Sequence, residues 1–309
     1  MGILIDVILP VFLLLAAGYV LAWRGVISPD GIDGLMKFAQ GFAVPCLLFR
    51  NIAAIDLAET FDPRLLFSFY TGAVLCFIAG IAGARLIFRR EWEDAVAIGF
   101  VALFSNSLLI GLPITERAYG TEALASNFAI ISIHAPFCYL VGIVTMELVR
   151  ARGAGPLRLA GEVGRAMAGN ALIIGVALGL LANVTGLRLP GAIDAAIELV
   201  ARAAIPTALF GLGGVLLRYR PEGDMRQIIF VVGCSLLLHP ALVWTMGTLM
   251  GLTTGQMRSA VITAAAAPGV NAYLFADMYG RARRVAASAV LFATVACAFT
   301  AAVWLSILP

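Results

Sequence analysis

Charge is scarce in this chain. Only 13% of its 309 residues are Asp, Glu, Lys or Arg, about half the share usual in a soluble globular domain. A net charge of +3 is too small to argue for a nucleic-acid partner. No zinc-type spacing is present: Cys46, Cys76, Cys138, Cys234 and Cys297 sit singly inside apolar runs. They read as small core hydrophobes, so neither a metal site nor a disulfide is expected. A Walker-type phosphate loop is missing, which leaves ATP-driven transport without support. HExxH and GxSxG are missing too, and no nucleophile–base set is visible, so an enzyme is not expected and no cofactor is implied. No basic segment precedes the first apolar run, which therefore reads as a retained span rather than a cleaved leader.

Apolar sequence fills the space that charge leaves. Hydrophobic residues make up 61% of the chain, and the mean hydropathy is +0.98. A bilayer core of about 30 Å needs about 20 apolar residues per helical span. Ten apolar runs of roughly that size are present, at 3–22, 35–55, 63–88, 94–118, 122–149, 169–187, 196–217, 226–250, 257–279 and 285–308. The class expected is an all-α membrane protein of ten transmembrane helices, with the lipid bilayer as its solvent. Arginines sort between alternate connections. Arg24, the cluster Arg85, Arg89 and Arg90, four between Arg150 and Arg165, three between Arg218 and Arg226, and three between Arg281 and Arg284 lie on one side. Arg50, Arg64, Arg117, Arg188 and Arg258 lie on the other. Because cytoplasmic loops hold the excess of Arg and Lys, both termini are expected outside, in the inner membrane.

The chain repeats itself at an offset of 160–161 residues. Gly25…Pro29…Ile32-Asp33 matches Gly186…Pro190…Ile193-Asp194, Ala43…Pro45…Leu48-Phe49 matches Ala204…Pro206…Leu209-Phe210, and Tyr119-Gly120 matches Tyr279-Gly280. Residues 1–150 and 169–309 then form two five-helix repeats, joined by an Arg-, Gly- and Pro-bearing cytoplasmic linker at 151–168. Five spans per half place the second half upside down, a 5+5 inverted repeat, which is the architecture of secondary transporters.

Helix breaks in a membrane are tolerated only beside protein or a water-filled cavity. Asn106…Gly111-Leu112-Pro113 interrupts span 4, and Ala267-Pro268-Gly269-Val270-Asn271 interrupts span 9. Such breaks at corresponding places in two halves point to a transporter's binding site. Each one frees N–H groups and the positive dipole end of the following half-helix. Two such ends make an anion site without a buried lysine, to which Asn106 and Asn271 add amides. Pro45 and Pro206, paired across the repeat in spans 2 and 7, are candidate hinges or cavity-lining residues.

The stretch Ser105-Asn106-Ser107-Leu108-Leu109-Ile110-Gly111-Leu112-Pro113, closed by Tyr119-Gly120, resembles the fourth-span signature of the auxin efflux carrier family. That family includes plant PIN-type auxin exporters and bacterial carriers of malonate and related acids. Ala267-Pro268-Gly269-Val270-Asn271, running on to Tyr279-Gly280, resembles its ninth-span signature. The resemblance covers the whole chain. It implies broken helices 4 and 9 that cross at their breaks, and a scaffold and a transport domain that move against each other. It carries a substrate-site role onto Asn106, Gly111, Pro113, Gly269 and Asn271. The span-9 proline of plant members stands one residue from Pro268, and their long cytoplasmic loop is absent, as befits a compact bacterial carrier.

Ionisable groups within spans complete the candidates. His134 in span 5 and His239 in span 8 could couple proton movement to transport, or be neutral rings bonded to neighbouring helices. Glu198 and Arg202 are an i,i+4 pair. The function expected is a secondary transporter of a small organic anion, a carboxylate such as malonate or an auxin-like acid, working by alternating access. A cation-coupled antiporter of similar fold is one alternative. It would want a mid-membrane acid at the breaks, and neither break carries one. A membrane sensor that binds the same ligands without flux is another. The coupling ion, H+ or Na+, stays open, as does a homodimer built through the scaffold halves.

Overall fold

The computed structural model describes residues 2–150, 161 and 170–309. The expected linker at 151–168 therefore falls outside the described residues, Gly161 apart. Every element among the described residues is helical, and seven helices are long and apolar enough to cross a membrane. They are α1 (Ile5–Trp23), α2 (Pro29–Ala54), α3 (Pro63–Leu86), α5 (Thr121–Val149), α7 (Gly191–Leu216), α8 (Met225–Leu249) and α10 (Arg283–Ile307). A shorter apolar helix, α6, covers Ala171–Thr185. Two further apolar stretches are interrupted: α4a (Trp92–Leu103) is followed by α4b (Leu112–Tyr119), and α9a (Thr254–Ala265) by α9b (Val270–Tyr279).

Proline sets the local geometry in a regular way. Widened turns with i→i+5 hydrogen bonds occur at Ile3–Ile8, Ala39–Ala43, Ser107–Gly111 and Cys234–Leu238, and a proline stands two residues past each: Pro10, Pro45, Pro113 and Pro240. The proline ring collides with the carbonyl four residues back and offers that carbonyl no N–H. Opening the preceding turn moves the carbonyl aside without ending the helix. At Pro240 the stranded carbonyl, Leu236 O, is taken by Trp304 Nε1 at 2.9 Å. Pro136 and Pro206 sit inside α5 and α7 without such a turn. The repeat partners Pro45 and Pro206 therefore differ in local structure.

The chain forms two compact units, and each draws on both halves of the sequence. Unit 1 comprises Met1–Leu9, Phe61–Val163 and Tyr219–Pro309; unit 2 comprises Pro10–Thr60 and Gly164–Arg218. In unit 2, α1, α2, α6 and α7 pack with backbones in close approach. An added Cβ at Gly175 would lie 2.6 Å from Pro45 O, and one at Gly179 would lie 2.9 Å from Phe49 O. Arg50 bonds to Asp194 at 3.4 Å and to Glu198 at 3.0 Å, and Arg202 also pairs with Glu198. The Glu198–Arg202 pair read from the sequence is thus present, with Arg50 added. Asp33, the repeat counterpart of Asp194, meets Arg218 at 2.8 Å.

In unit 1 the helices bury Leu65, Phe69, Phe100, Leu103 and Phe275, with Phe100 stacked on Phe275 at 3.9 Å. Polar contacts gather at its two ends. At one end Arg90 bonds to Gln227 at 2.9 Å, Arg150 to Glu93 at 3.2 Å, and Arg281 to Glu91 at 2.9 Å. At the other, Arg117 donates to Val7 O at 3.1 Å, Ser259 to Ala123 O at 3.0 Å, and Gln256 to Asp62 at 3.0 Å. Large apolar side chains such as Leu13, Phe67, Leu178 and Phe299 point outward, as a lipid solvent requires.

Asp62 caps α3 by accepting from Arg64 N at 2.8 Å. Its hydrogen bonds, first to the Arg64 guanidinium and then to Gln256 and Arg64 N, hold its carboxyl at about 2 instead of 3.8. A depressed carboxyl contributes stability that is complete above the unfolded-state pKa and is lost as pH falls through the folded one. Asp62→Asn keeps a capping oxygen but loses the charge. Its melting temperature should lie below that of the wild type at pH 7, and the gap should close between pH 3.8 and about 2. A gap that stays constant with pH would show that the carboxylate charge contributes nothing.

Candidate functional site

The two interruptions meet inside unit 1. Asn106 N donates to Ala267 O at 2.8 Å and Gly269 N donates to Phe104 O at 3.3 Å, framing an antiparallel bridge between Ser105 and Pro268. In such a frame the N–H and C=O of the bridged pair point outward, away from each other. The missing N–H of Pro268 therefore costs no bond there. Ala266 is extended at φ −65°, ψ 138°, and Ala267, directly before Pro268, is steered away from the helical region by the ring.

This geometry moves one expectation. The break in span 4 lies at Phe104–Asn106, at the leading edge of the Asn106–Pro113 stretch rather than across it, and the half-helix dipole end follows Asn106. Gly111 and Pro113 lie about a turn further on, Gly111 in the widened turn and Pro113 buried in the first turn of α4b. Pro113 widens its helix but does not break it. What breaks it is pairing with residues 266–269, which no local pattern announces. Gly111 serves close packing, since a Cβ there would lie 3.2 Å from Thr263 Cα.

Of the residues read from the sequence, the fold gathers Asn106, Pro268, Gly269 and Asn271 at this crossing. A Cβ built on Gly269 would stand 3.5 Å from Asn106 Cγ. Asn106 caps its half-helix, its Oδ1 accepting from Leu109 N at 3.2 Å. Asn271 Oδ1 accepts from the Tyr139 hydroxyl at 3.3 Å. Both amides thus have their oxygen engaged, leaving their NH2 groups to donate. The N-terminus of α9b has no side-chain cap, so its first N–H groups and the positive dipole end add to the donors. Asn106 is 8% exposed and Asn271 half-buried, so both sit in a partly dehydrated place where such donors count most. Pro45 and Pro206 belong to unit 2, not to the unit that holds this group.

A face of α5 supports the crossing. His134 Nε2 lies 3.0 Å from Ser105 O, and Asn127 Nδ2 donates to Thr263 Oγ1 at 2.9 Å and to Thr115 Oγ1 at 3.2 Å, tying α4b to α9a. His239 is fully buried in α8 with its ring edge-on to Phe69, and among the described residues neither of its nitrogens has a hydrogen-bond partner, nor does Ser235 Oγ. The sequence pattern singles out His134 but not Asn127, Thr115, Thr263 or Tyr139. The seven-residue spacing of Asn127 and His134 puts both on one stripe of an apolar helix, and that was the available signal. Among the described residues no group of His, Cys, Asp and Glu could hold a metal ion, and all five cysteines are free.

A family described as "Membrane transport protein" matches residues 3–155 and 156–305. Three full-length relatives agree with it. A protein of Rhizobium meliloti (strain 1021), provisionally named a malonate transporter, is 24% identical over 94% of this chain and 91% of its own length. The uncharacterized transporter YfdV of Escherichia coli (strain K12) is 22% identical, covering 96% of this chain and 95% of itself. Auxin efflux carrier component 8 of Arabidopsis thaliana is 21% identical, covering 93% and 92%.

Proposed function

The chain belongs to the membrane transport protein family, that of the auxin efflux carriers, and as a multi-pass membrane transporter of that family we propose that it carries a small organic anion by alternating access. The substrate class is a carboxylate such as malonate or an auxin-like acid. One observation carries this reading: both crossover amides have their oxygens occupied, Asn106 by Leu109 N and Asn271 by Tyr139, so that the crossing presents donors. Two NH2 groups beside an uncapped helix N-terminus suit a carboxylate and repel a cation.

The same reading takes the chain as ten spans in two inverted halves, with both termini outside the inner membrane. Two contacts favour the inverted repeat. Gly18 of α1 packs against Phe210 of α7, and Gly179 of α6 packs against Phe49 of α2. Exchanging each residue for its repeat partner at the 161-residue offset, Gly18 for Gly179 and Phe210 for Phe49, turns the first pair into the second. The crossing of two broken helices is a second mark of such folds. Pro45, directly after a widened turn, is the better placed hinge of its pair.

Thermal unfolding of the detergent-purified protein against malonate, indole-3-acetate and their uncharged amides tests the site. A ligand at about 100 times its Kd adds about 2.7 kcal/mol of stability. At least one carboxylate should raise the midpoint while its amide does not. Equal shifts for acid and amide, or none for any acid, would refute an anion site.

A further inference from the structure

We infer that His134 is a proton-binding site coupled to the crossover, so that the protein takes up one proton with each anion. The inference rests on the anion reading above and adds its coupling ion.

The ring's contacts leave one atom for a proton. A backbone carbonyl only accepts, so His134 Nε2, 3.0 Å from Ser105 O, carries the hydrogen. In the neutral ring Nδ1 then carries the lone pair, and the Cys138 thiol, a weak donor, lies 3.8 Å from it. Protonation at Nδ1 leaves the bond to Ser105 intact. The step is simple in balance: a proton from bulk water joins the Nδ1 lone pair, neutral imidazole becomes imidazolium, and no other bond changes.

The surroundings supply no counter-charge. From α4a and the break come the Phe104 ring at 4.8 Å and Ser105; from α3 come Phe69 at 5.7 Å and Tyr70 at 6.3 Å. His239 of α8 also lies against Phe69, at 5.5 Å, Asn127 and Cys138 share the helix of His134, and α9a brings Thr263 to Asn127. Among the described residues no ion pair or hydrogen bond joins a carboxylate, Arg or Lys to His134. An imidazolium there is a buried charge without a partner, which is costly. An anion held by Asn106, the residue directly after Ser105, is that partner. Each ligand then strengthens binding of the other by the same factor, because coupling between sites is reciprocal. Among the described residues no hydrogen bond joins His239 to the crossing.

Isothermal titration of malonate into the detergent-purified protein, repeated in buffers of different ionisation enthalpy, counts protons taken up per anion. Wild type should take up about one near neutral pH, and on the alkaline side its affinity should fall up to about tenfold per pH unit. His134→Gln keeps an amide donor for Ser105 O but has no basic nitrogen to take up a proton. It should bind malonate with no proton uptake and a flat pH profile. Uptake that persists in His134→Gln would place the proton on the second carboxyl of malonate or on His239 and overturn the inference. Malonate binding to wild type without uptake would overturn it while leaving the anion site standing. Wild type that binds no malonate at any pH would remove both. A second measurement needs no variant: the chain has two histidines, so 15N-histidine labelling gives two sets of ring signals. Malonate should convert one set to the imidazolium pattern, and two unchanged sets would refute the coupling.

Discussion

Asn106→Asp is expected to abolish binding of malonate while leaving the protein folded. The substitution separates the two tasks of this side chain. Its oxygen caps the half-helix through Leu109 N at 3.2 Å, and an Asp oxygen can take that bond and suits the positive end of the dipole. Its NH2 group is the donor aimed at the ligand, and Asp replaces it with a negative oxygen. A hydrogen bond to a charged group is worth about 1.5–3 kcal/mol, so the lost donor alone weakens affinity by about 10- to 150-fold. Like-charge repulsion in a site only 8% exposed adds to that. Asn106→Ala should fall between: it loses the donor without adding repulsion, but it also loses the cap, at about 1 kcal/mol of stability. The measurement is the malonate-induced shift in melting midpoint at pH 8, with size-exclusion profiles to show intact fold. Wild-type affinity in Asn106→Asp would remove α4 from the site.

The sequence leads to Asn106 but spreads the break on to Pro113, and the reason lies in what a local pattern can carry. Proline, glycine and asparagine in an apolar run mark a disturbed helix, and both disturbed helices were found from them. The position of the break depends on partners more than 160 residues away, Ala267 to Gly269. Phe104 and Ser105 have nothing local that stops a helix. They leave it because Asn106 N and Phe104 O find Ala267 O and Gly269 N across the crossing. Pro113, the strongest breaker in the motif, only widens its helix, as Pro10, Pro45 and Pro240 do in theirs.

The two compact units escaped sequence reading for a related reason. Each takes helices from both halves of the chain, so no boundary in composition separates them. What did show was charge. Asp33 and Asp194, matched across the repeat, lie near the starts of α2 and α7, and each meets an arginine of its own unit. Tyr139 gave no signal at all, because an aromatic residue in an apolar helix is the ordinary case. Its hydroxyl matters only once Asn271 is known to lie against it.

The second large effect concerns unit 2. Gly18 of α1 and Gly213 of α7 face each other's backbones: an added Cβ at Gly18 would lie 1.9 Å from Phe210 O, and one at Gly213 would lie 1.9 Å from Leu15 O. Between membrane helices, backbones that approach this closely are a main source of association. Backbone oxygens cannot rotate away as a side chain can, so Gly18→Ala or Gly213→Ala must force the helices apart. Overpacking costs about 1–3 kcal/mol in ordinary cores, and these two variants should sit at the top of that range or above it. Gly34→Ala, in the same unit but with nothing within 4 Å of the new Cβ, should be neutral or stabilising by about 0.5–1 kcal/mol. The double variant should cost less than the sum of the single ones, because separation forced by the first methyl makes room for the second. Midpoints of thermal unfolding for the four proteins decide this, and full additivity would mean that the helices do not separate. Malonate binding by whatever fraction stays folded should persist, because Asn106 and Asn271 are held within unit 1. A Gly213→Ala protein that is stable but no longer binds would instead place part of the anion site on α7.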